Sequence, residues 1–220
     1  MNKFIGIIKG TAATLNVSLG FIPRKVTIRN LTTLTGHLYA ADMVAGVLAE
    51  THYGVSQAAA GDVAAVTTAA AGVIPYVGGT LLSAASTTCL SRNDKDQRGA
   101  YNANAPITAF TIGSVANKTG NFNVEASSDL VGPGSIVIIG GKEFRVVAMT
   151  SNGQEANEVT LNDIPAGAVA GSVFPVAKIR SRFDLVGSPA GVVTGPGFTL
   201  GANATVNSNG GVLLVEAEDC

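Results

Sequence analysis

Charged and aromatic residues are scarce in this sequence. Only 13% of the 220 residues are charged, about half the usual share of a globular protein, and 14 basic against 15 acidic side chains leave a net charge of -1. This balance offers no basic surface, so we expect neither nucleic acid nor a membrane as a partner. Tryptophan is absent and aromatic residues amount to 5%. That composition argues against a polysaccharide-active enzyme, which places paired carboxylates in an aromatic-lined groove.

The low charge has two interpretations. Interface cores exclude charge, so a charge-poor chain is typical of a protein whose surface is covered by other subunits. The alternative is an ordinary β protein whose surface is made of serine, threonine and asparagine. In either case the 27 glycines, together with abundant valine and threonine, favour short strands joined by tight turns.

Cysteine is too rare to form a disulfide framework. The two cysteines, Cys89 and Cys220, belong to no Cys-x-x-Cys or Cys/His cluster, and they fit a protein made in a reducing cytoplasm. The apolar stretch Phe4–Ile8 is too short for the core of a signal peptide and ends at Lys9. We therefore interpret it as a first strand.

The two histidines do not complete a catalytic or metal-binding motif. His37 and His52 have Asp42 and Glu50 between them, but ordinary histidines are far commoner than a ligand set with this spacing. A histidine that acts as a general base needs a nucleophile, and the chain has no Gly-x-Ser-x-Gly elbow.

Two other candidate sites are also incomplete. Lys9–Thr11 ends like a phosphate-binding loop but lacks the glycines that should precede the lysine. Asn93, Asp94 and Asp96 lack the spacing and the closing glutamate of an EF-hand. We therefore expect no catalytic residue, no cofactor and no metal, and a protein that is not an enzyme.

Both ends of the chain have the pattern of β-strands. Apolar residues recur at every second position over 15–19 and 25–29, which predicts two half-buried strands. Residues 212–217 are almost continuously apolar, which predicts a strand in the middle of a sheet. Because chain termini are often close together, we predict that residues 1–50 and 179–220 form one β-sandwich or jelly-roll-like domain.

The segment 106–178 predicts a separate small β-barrel, inserted between the two halves of the first domain. Strand-like runs such as Ile107–Ile112 and Ser135–Ile139 recur at intervals typical of all-β units. The pair Gly140-Gly141 has the composition of a two-residue hairpin turn, so Lys142–Met149 should return antiparallel to the run before it.

Residues 51–105 differ in kind, because no charge occurs between Val63 and Ser91. The length would admit a membrane span, but Pro75 and the pair Gly78-Gly79 make a poor spanning helix. We predict an extended apolar arm that contacts a neighbouring subunit; a long surface loop folded on its own body is the alternative. The candidate contact residues are its large apolar side chains, namely Val73, Ile74, Tyr76, Val77, Leu81 and Leu82.

Two short motifs occur at opposite ends of this all-β chain. The first consists of Gly10–Ala13, Leu19–Val26 and Asn30. The second consists of Gly197–Asn203, Val206–Asn207, Gly210–Gly211 and Ala217. They are similar to the opening and closing motifs of small head and tail structural proteins of tailed bacteriophages. Neither motif is a catalytic signature, and the pairing at both ends is more specific than either motif alone.

This resemblance implies a β-sandwich or jelly-roll virion component. It implies a head decoration (cement) protein that forms a homotrimer, binds the major capsid protein and stabilises contacts between capsomers. Such a protein is made in the host cytoplasm and is located on the capsid surface of the virion. The middle, 51–178, departs from the simplest members of the family, so a tail, baseplate or host-binding virion component is the alternative.

Overall fold

The computed structural model confirms the all-β prediction. It describes residues 1–33, 37–41, 53–57, 61–82, 89–91, 96–97, 100–102, 105–126, 131–150, 156–187 and 191–219. Within these ranges the chain forms strands and turns and no helix. Accordingly, the described residues include no helix long and apolar enough to cross a membrane.

Twenty strands make up the described structure. In chain order they are β1 (Asn2–Lys9), β2 (Leu15–Ser18), β3 (Lys25–Asn30), β4 (His37–Ala41), β5 (Val55–Gln57), β6 (Val63–Ala65), β7 (Val73–Tyr76), β8 (Cys89–Ser91), β9 (Asp96–Gln97), β10 (Ala100–Asn102), β11 (Ala105–Pro106), β12 (Ala109–Ser114), β13 (Thr119–Ala126), β14 (Ile136–Ile139), β15 (Lys142–Thr150), β16 (Ala156–Leu161), β17 (Val173–Arg180), β18 (Val186–Gly187), β19 (Gly197–Leu200) and β20 (Val212–Asp219).

The chain divides into two compact units. Unit 1 combines Met1–Asp94 with Phe183–Cys220, and unit 2 is Lys95–Arg182. Both ends of the chain therefore belong to one body, and unit 2 is inserted between them.

Unit 1 contains two sheets. The first has the strand order β1-β20-β3-β4-β5-β6 and the second has the order β18-β8-β2-β19-β7. The first and last strands pair antiparallel, with Phe4 opposite Ala217. The last strand lies between β1 and β3, as its apolar run predicts for a central strand.

The alternation of residues in these strands places one face of each sheet in a shared core. One hydrophobic cluster takes residues from both sheets, so the two sheets enclose it as the layers of a sandwich do. On the outer face of the first sheet, Glu218 lies between Lys25 and Lys3, with N–O distances of 3.2 and 4.0 Å. The buried members of the cluster are Phe4, Ile8, Leu15, Val17, Leu19, Val26, Ile28, Val66, Val73, Leu90, Leu185, Phe198, Leu200, Val206, Leu213, Val215 and Ala217.

One residue, Asp184, hydrogen-bonds to the outer edge of β1 at Ile7. Asp184 accepts a hydrogen bond from the Ile7 amide at 2.7 Å, and its own amide donates to the Ile7 carbonyl, also at 2.7 Å. Both backbone groups of Ile7 are therefore satisfied on the side that faces away from β20.

The extended apolar arm expected over 51–105 is not what the described residues of that segment form. Strands β5 and β6 extend the first sheet, and β7 and β8 belong to the second. Val73 is fully buried and lies opposite Leu200 of β19. Val66, Val73 and Leu90 of this segment belong to the core of unit 1, whereas Val63–Ala65 and most of residues 77–81 are exposed. The uncharged segment therefore supplies both core and exposed surface of unit 1.

Unit 2 contains a closed barrel. Its strands follow the antiparallel order β12-β13-β16-β15-β14-β17, and β17 also pairs with β12, which completes the ring. Strand β9 pairs antiparallel with the C-terminal end of β17, and β10 pairs with β11. The turn between β14 and β15 is Gly140-Gly141, with φ angles of 56° and 81°. This is the two-glycine hairpin that the sequence predicts.

A second hydrophobic cluster fills the barrel. Phe110 and Phe122 pack edge to face, with ring centroids 5.3 Å apart and an interplanar angle of 61°. Gly120 on β13 lies against the Phe110 ring, because a β-carbon there would be 2.5 Å from Phe110 Cζ and from the Thr111 carbonyl oxygen. The buried members are Ile107, Phe110, Ile112, Phe122, Val131, Val137, Ile139, Phe144, Val146, Val159, Leu161 and Ile179.

Replacing Gly120 by alanine should destabilise the barrel. The added methyl group would overlap Phe110 and the β12 backbone, and overpacking of this kind costs about 1–3 kcal/mol. Gly113→Ala is the matched control, because the nearest atom to its β-carbon is 3.5 Å away. Urea unfolding monitored by hydrogen exchange of barrel amides measures both variants. Equal stability of the two variants would contradict the packing described here.

Candidate interaction surface

The two terminal motifs lie next to each other in unit 1. The Gly10 amide donates to the Gly211 carbonyl at 2.7 Å, and the Gly210 amide donates to the Gly10 carbonyl at 2.9 Å. At the other end of the motif, the Leu19 amide donates to the Pro196 carbonyl at 2.9 Å. Strands β2 and β19 pair along their whole length between these points.

Asn207 joins the segment between β1 and β2 to the segment between β19 and β20. Its side-chain amide donates to the carbonyls of Ala13 at 2.7 Å and Gly201 at 3.1 Å, and its side-chain oxygen accepts from the Thr11 amide at 2.9 Å. Its backbone carbonyl also accepts from the Ala12 amide. Asn207 is fully buried, so these contacts satisfy the polar groups of its own side chain, which water does not reach.

Asn30 makes a second connection of the same kind at the end of β3. Its side-chain amide donates to the Ser208 hydroxyl at 2.7 Å and to the Val206 carbonyl at 3.3 Å. Its side-chain oxygen accepts from the amides of Thr32 and Thr33 at 3.0 and 3.2 Å. The asparagine is buried and ties the turn after β3 to the loop before β20.

The motif glycine at the start of β19 permits close approach of two backbones. A β-carbon at Gly197 would lie 1.8 Å from the Val17 carbonyl oxygen of β2, so only glycine fits. The motif residues Gly10, Asn30, Gly197 and Asn207, which make these contacts, are buried. They hold unit 1 together and leave little side-chain surface of their own for a partner.

One exposed apolar surface of unit 1 lies beyond the end of β7. Residues 77–82 continue the pairing of β7 with β19 by running antiparallel to residues 191–195, and we call these two segments the apolar ribbon. The Gly79 amide donates to the Thr194 carbonyl at 2.8 Å, and the Thr194 amide donates to the Thr80 carbonyl at 3.0 Å. Neither segment contains a charged residue.

Three large side chains of the ribbon face solvent. Val77 is 78% exposed, Leu81 is 64% exposed and Val193 is 63% exposed. Leu81 and Val193 are direct partners across the ribbon. Isolated surface apolar residues are common, but an uncharged ribbon with an exposed cross-strand pair has the composition of an interface core.

The six predicted contact residues divide by exposure. Val73 and Leu82 are buried, so they are unavailable to a partner, and the prediction is corrected for these two. Ile74 and Tyr76 are partly buried, and the Tyr76 hydroxyl bonds to the Thr194 hydroxyl. The remaining two, Val77 and Leu81, are on the exposed surface.

Sequence reasoning did not include Val193 among the candidates. The signal available was the uncharged run Gly191–Gly195, in which valines and a threonine lie between glycines. That pattern indicates a short extended segment, but only the pairing with Leu81 places Val193 on the same surface as the predicted residues.

The candidates for chemistry gain no support from the described residues. No group of three or more histidine, cysteine, aspartate or glutamate side chains within the described ranges could hold a metal ion. Cys89 is buried in β8. His37 and Asp96 belong to β4 and β9. Lys9–Thr11 lies at the end of β1. The remaining candidates lie outside the described residues: Asp42, Glu50, His52, Asn93, Asp94 and Cys220.

Comparison with known proteins gives no family assignment. No protein-family model, no curated protein and no solved structure matches the chain. A functional conclusion therefore depends on the motifs, their placement in unit 1 and the apolar ribbon.

Replacing Asn207 by alanine should destabilise unit 1 by roughly 3 kcal/mol. The change removes three hydrogen bonds made by a fully buried side chain, to the Thr11 amide and to the carbonyls of Ala13 and Gly201, and each lost bond costs about 0.5–1.5 kcal/mol. The control is Asn209→Ala, two residues along the chain in an exposed turn, where we expect less than about 0.5 kcal/mol. Hydrogen exchange of β19 and β20 amides in urea provides the measurement. Similar losses in both variants would show that Asn207 has no special role.

Proposed function

We propose that this chain is a non-enzymatic structural protein of a bacteriophage particle. It binds the major capsid protein on the capsid surface and stabilises contacts between capsomers, as a decoration or cement protein does. The single observation that carries the proposal is the placement of the two terminal motifs. Residues that resemble phage structural proteins at both ends of the sequence lie together in unit 1, where Asn207 joins them.

The role of the motif residues supports a structural function. The residues that join the two motifs do so through backbone contacts and through the buried side chains of Asn207 and Asn30. A resemblance confined to such residues implies a shared scaffold, because the scaffold needs them in place whatever the protein binds. A scaffold of this kind can assemble on a particle without any catalytic group, so assembly is the function that we assign to it.

The apolar ribbon is the contact surface in this proposal. Its exposed side chains Val77, Leu81 and Val193 form an uncharged centre, and charge depletion distinguishes the core of protein interfaces from the rest of a surface. The overall scarcity of charge has the same explanation when a homotrimer on the capsid covers further surface.

The position of the protein in the virion is the first test. Particles of the phage that encodes the chain should carry it on the head, visible by immunogold electron microscopy with antibodies against the chain. Particles that lack the gene should lose their genome at lower temperature than complete particles, because contacts between capsomers are missing. Labelling on the tail or baseplate would favour the alternative virion position. Absence of the protein from purified particles would overturn the proposal.

Substitutions in the ribbon test the contact surface. The double variant Leu81→Ser, Val193→Ser should bind gene-deleted heads roughly tenfold to a hundredfold more weakly, because two apolar side chains no longer leave water on binding. Its unfolding should change little, since both side chains are largely exposed. Val169→Ser in unit 2, where the valine is 65% exposed, is the matched control and should bind normally. Unchanged binding of the double variant would place the contact elsewhere.

A further inference from the structure

The last strands of the chain occupy inner positions in both sheets of unit 1. Strand β20 lies between β1 and β3, and β19 lies between β2 and β7. We call residues 197–219, which contain both strands and the loop that joins them, the closing segment. Its two strands lie in different sheets and do not pair with each other. Their neighbours β1, β3, β2 and β7 all come from Met1–Asp94.

Two N-terminal strands depend on the closing segment for pairing. Among the described strands, β1 has β20 as its single neighbour and β7 has β19 as its single neighbour. The closing segment also supplies a large part of the unit 1 core, with six of its side chains almost completely buried. They are Phe198, Leu200, Val206, Leu213, Val215 and Ala217.

The barrel of unit 2 has no such dependence. All six strands of its ring lie between Ala109 and Arg180, and its hydrophobic cluster comes from Ile107–Ile179. The most distant pairings in the first sheet instead join Asn2 to Asp219. Contacts between distant residues form slowly, because the entropy of closing the loop is lost before the contact compensates for it.

We infer that docking of the closing segment is the step that folds unit 1, and that the barrel folds earlier and without it. Before that step, residues 1–94 lack the partners of β1 and β7 and a large share of their core. During synthesis, all strands of the barrel are made before β19 and β20, the inner strands of the two sheets of unit 1. The inference does not rest on the proposed function.

Pulsed hydrogen exchange during refolding of the full-length chain tests this order. Amides of β12–β17 should become protected in an early phase. Amides of β2, β3, β19 and β20 should become protected together in a later phase. Protection of the β2–β8 or β3–β4 pairs before β20 would overturn the inference. A single phase for the whole chain, or a later barrel, would overturn it equally.

A mild substitution in the closing segment tests whether its docking limits the rate. Ala217→Gly removes one buried methyl group from β20 opposite Val26 and Phe4, and it should slow the later phase about threefold. The early phase should keep its rate. Ala109→Gly in β12 is the control and should leave the later phase unchanged. An Ala217→Gly variant that unfolds faster but refolds at the normal rate would contradict the inference.

Discussion

Pairing between the two ends of the chain is the constraint on which unit 1 depends. Among the described strands, β1 pairs with β20 alone, and β20 lies between β1 and β3. Much of the hydrophobic core lies on these strands, so the burial that stabilises the unit and the pairing of the ends are one event. The inserted barrel has its own closed ring and its own core, and it needs no strand from outside.

Buried asparagines complete this arrangement at the points where the chain crosses between sheets. A crossing exposes backbone groups that no strand partner can satisfy, and an asparagine offers two donors and one acceptor oxygen to them. Asn207 uses all three on neighbouring segments, and Asn30 does the same at the end of β3. Polar groups that are satisfied in only one geometry favour one arrangement of the chain over its alternatives.

The sequence predicts the fold where a local pattern marks the strands and fails over residues 63–82, where no such pattern is present. Alternation over 25–29, the apolar run 212–217 and the Gly140-Gly141 turn indicate local geometry directly, and the structure has a strand or hairpin at each. Residues 63–82 contain the strands Val63–Ala65 and Val73–Tyr76, in which apolar and polar residues do not alternate. From the sequence alone, their apolar content indicates an external partner, whereas Val73 packs inside unit 1. The pairing of Leu81 with Val193 joins distant segments, which no local pattern encodes.

The bonds between Asp184 and Ile7 have a consequence for crowded conditions. An unpaired edge strand is a template to which another molecule can add its own strand. The risk of such aggregation is greatest where many copies are held close together. Here a carboxylate and an amide already occupy the middle of that edge. A second polypeptide that approaches β1 at this point meets the Asp184 carboxylate in place of a free Ile7 amide. This opposes the pairing of β1 with a strand of a neighbouring molecule.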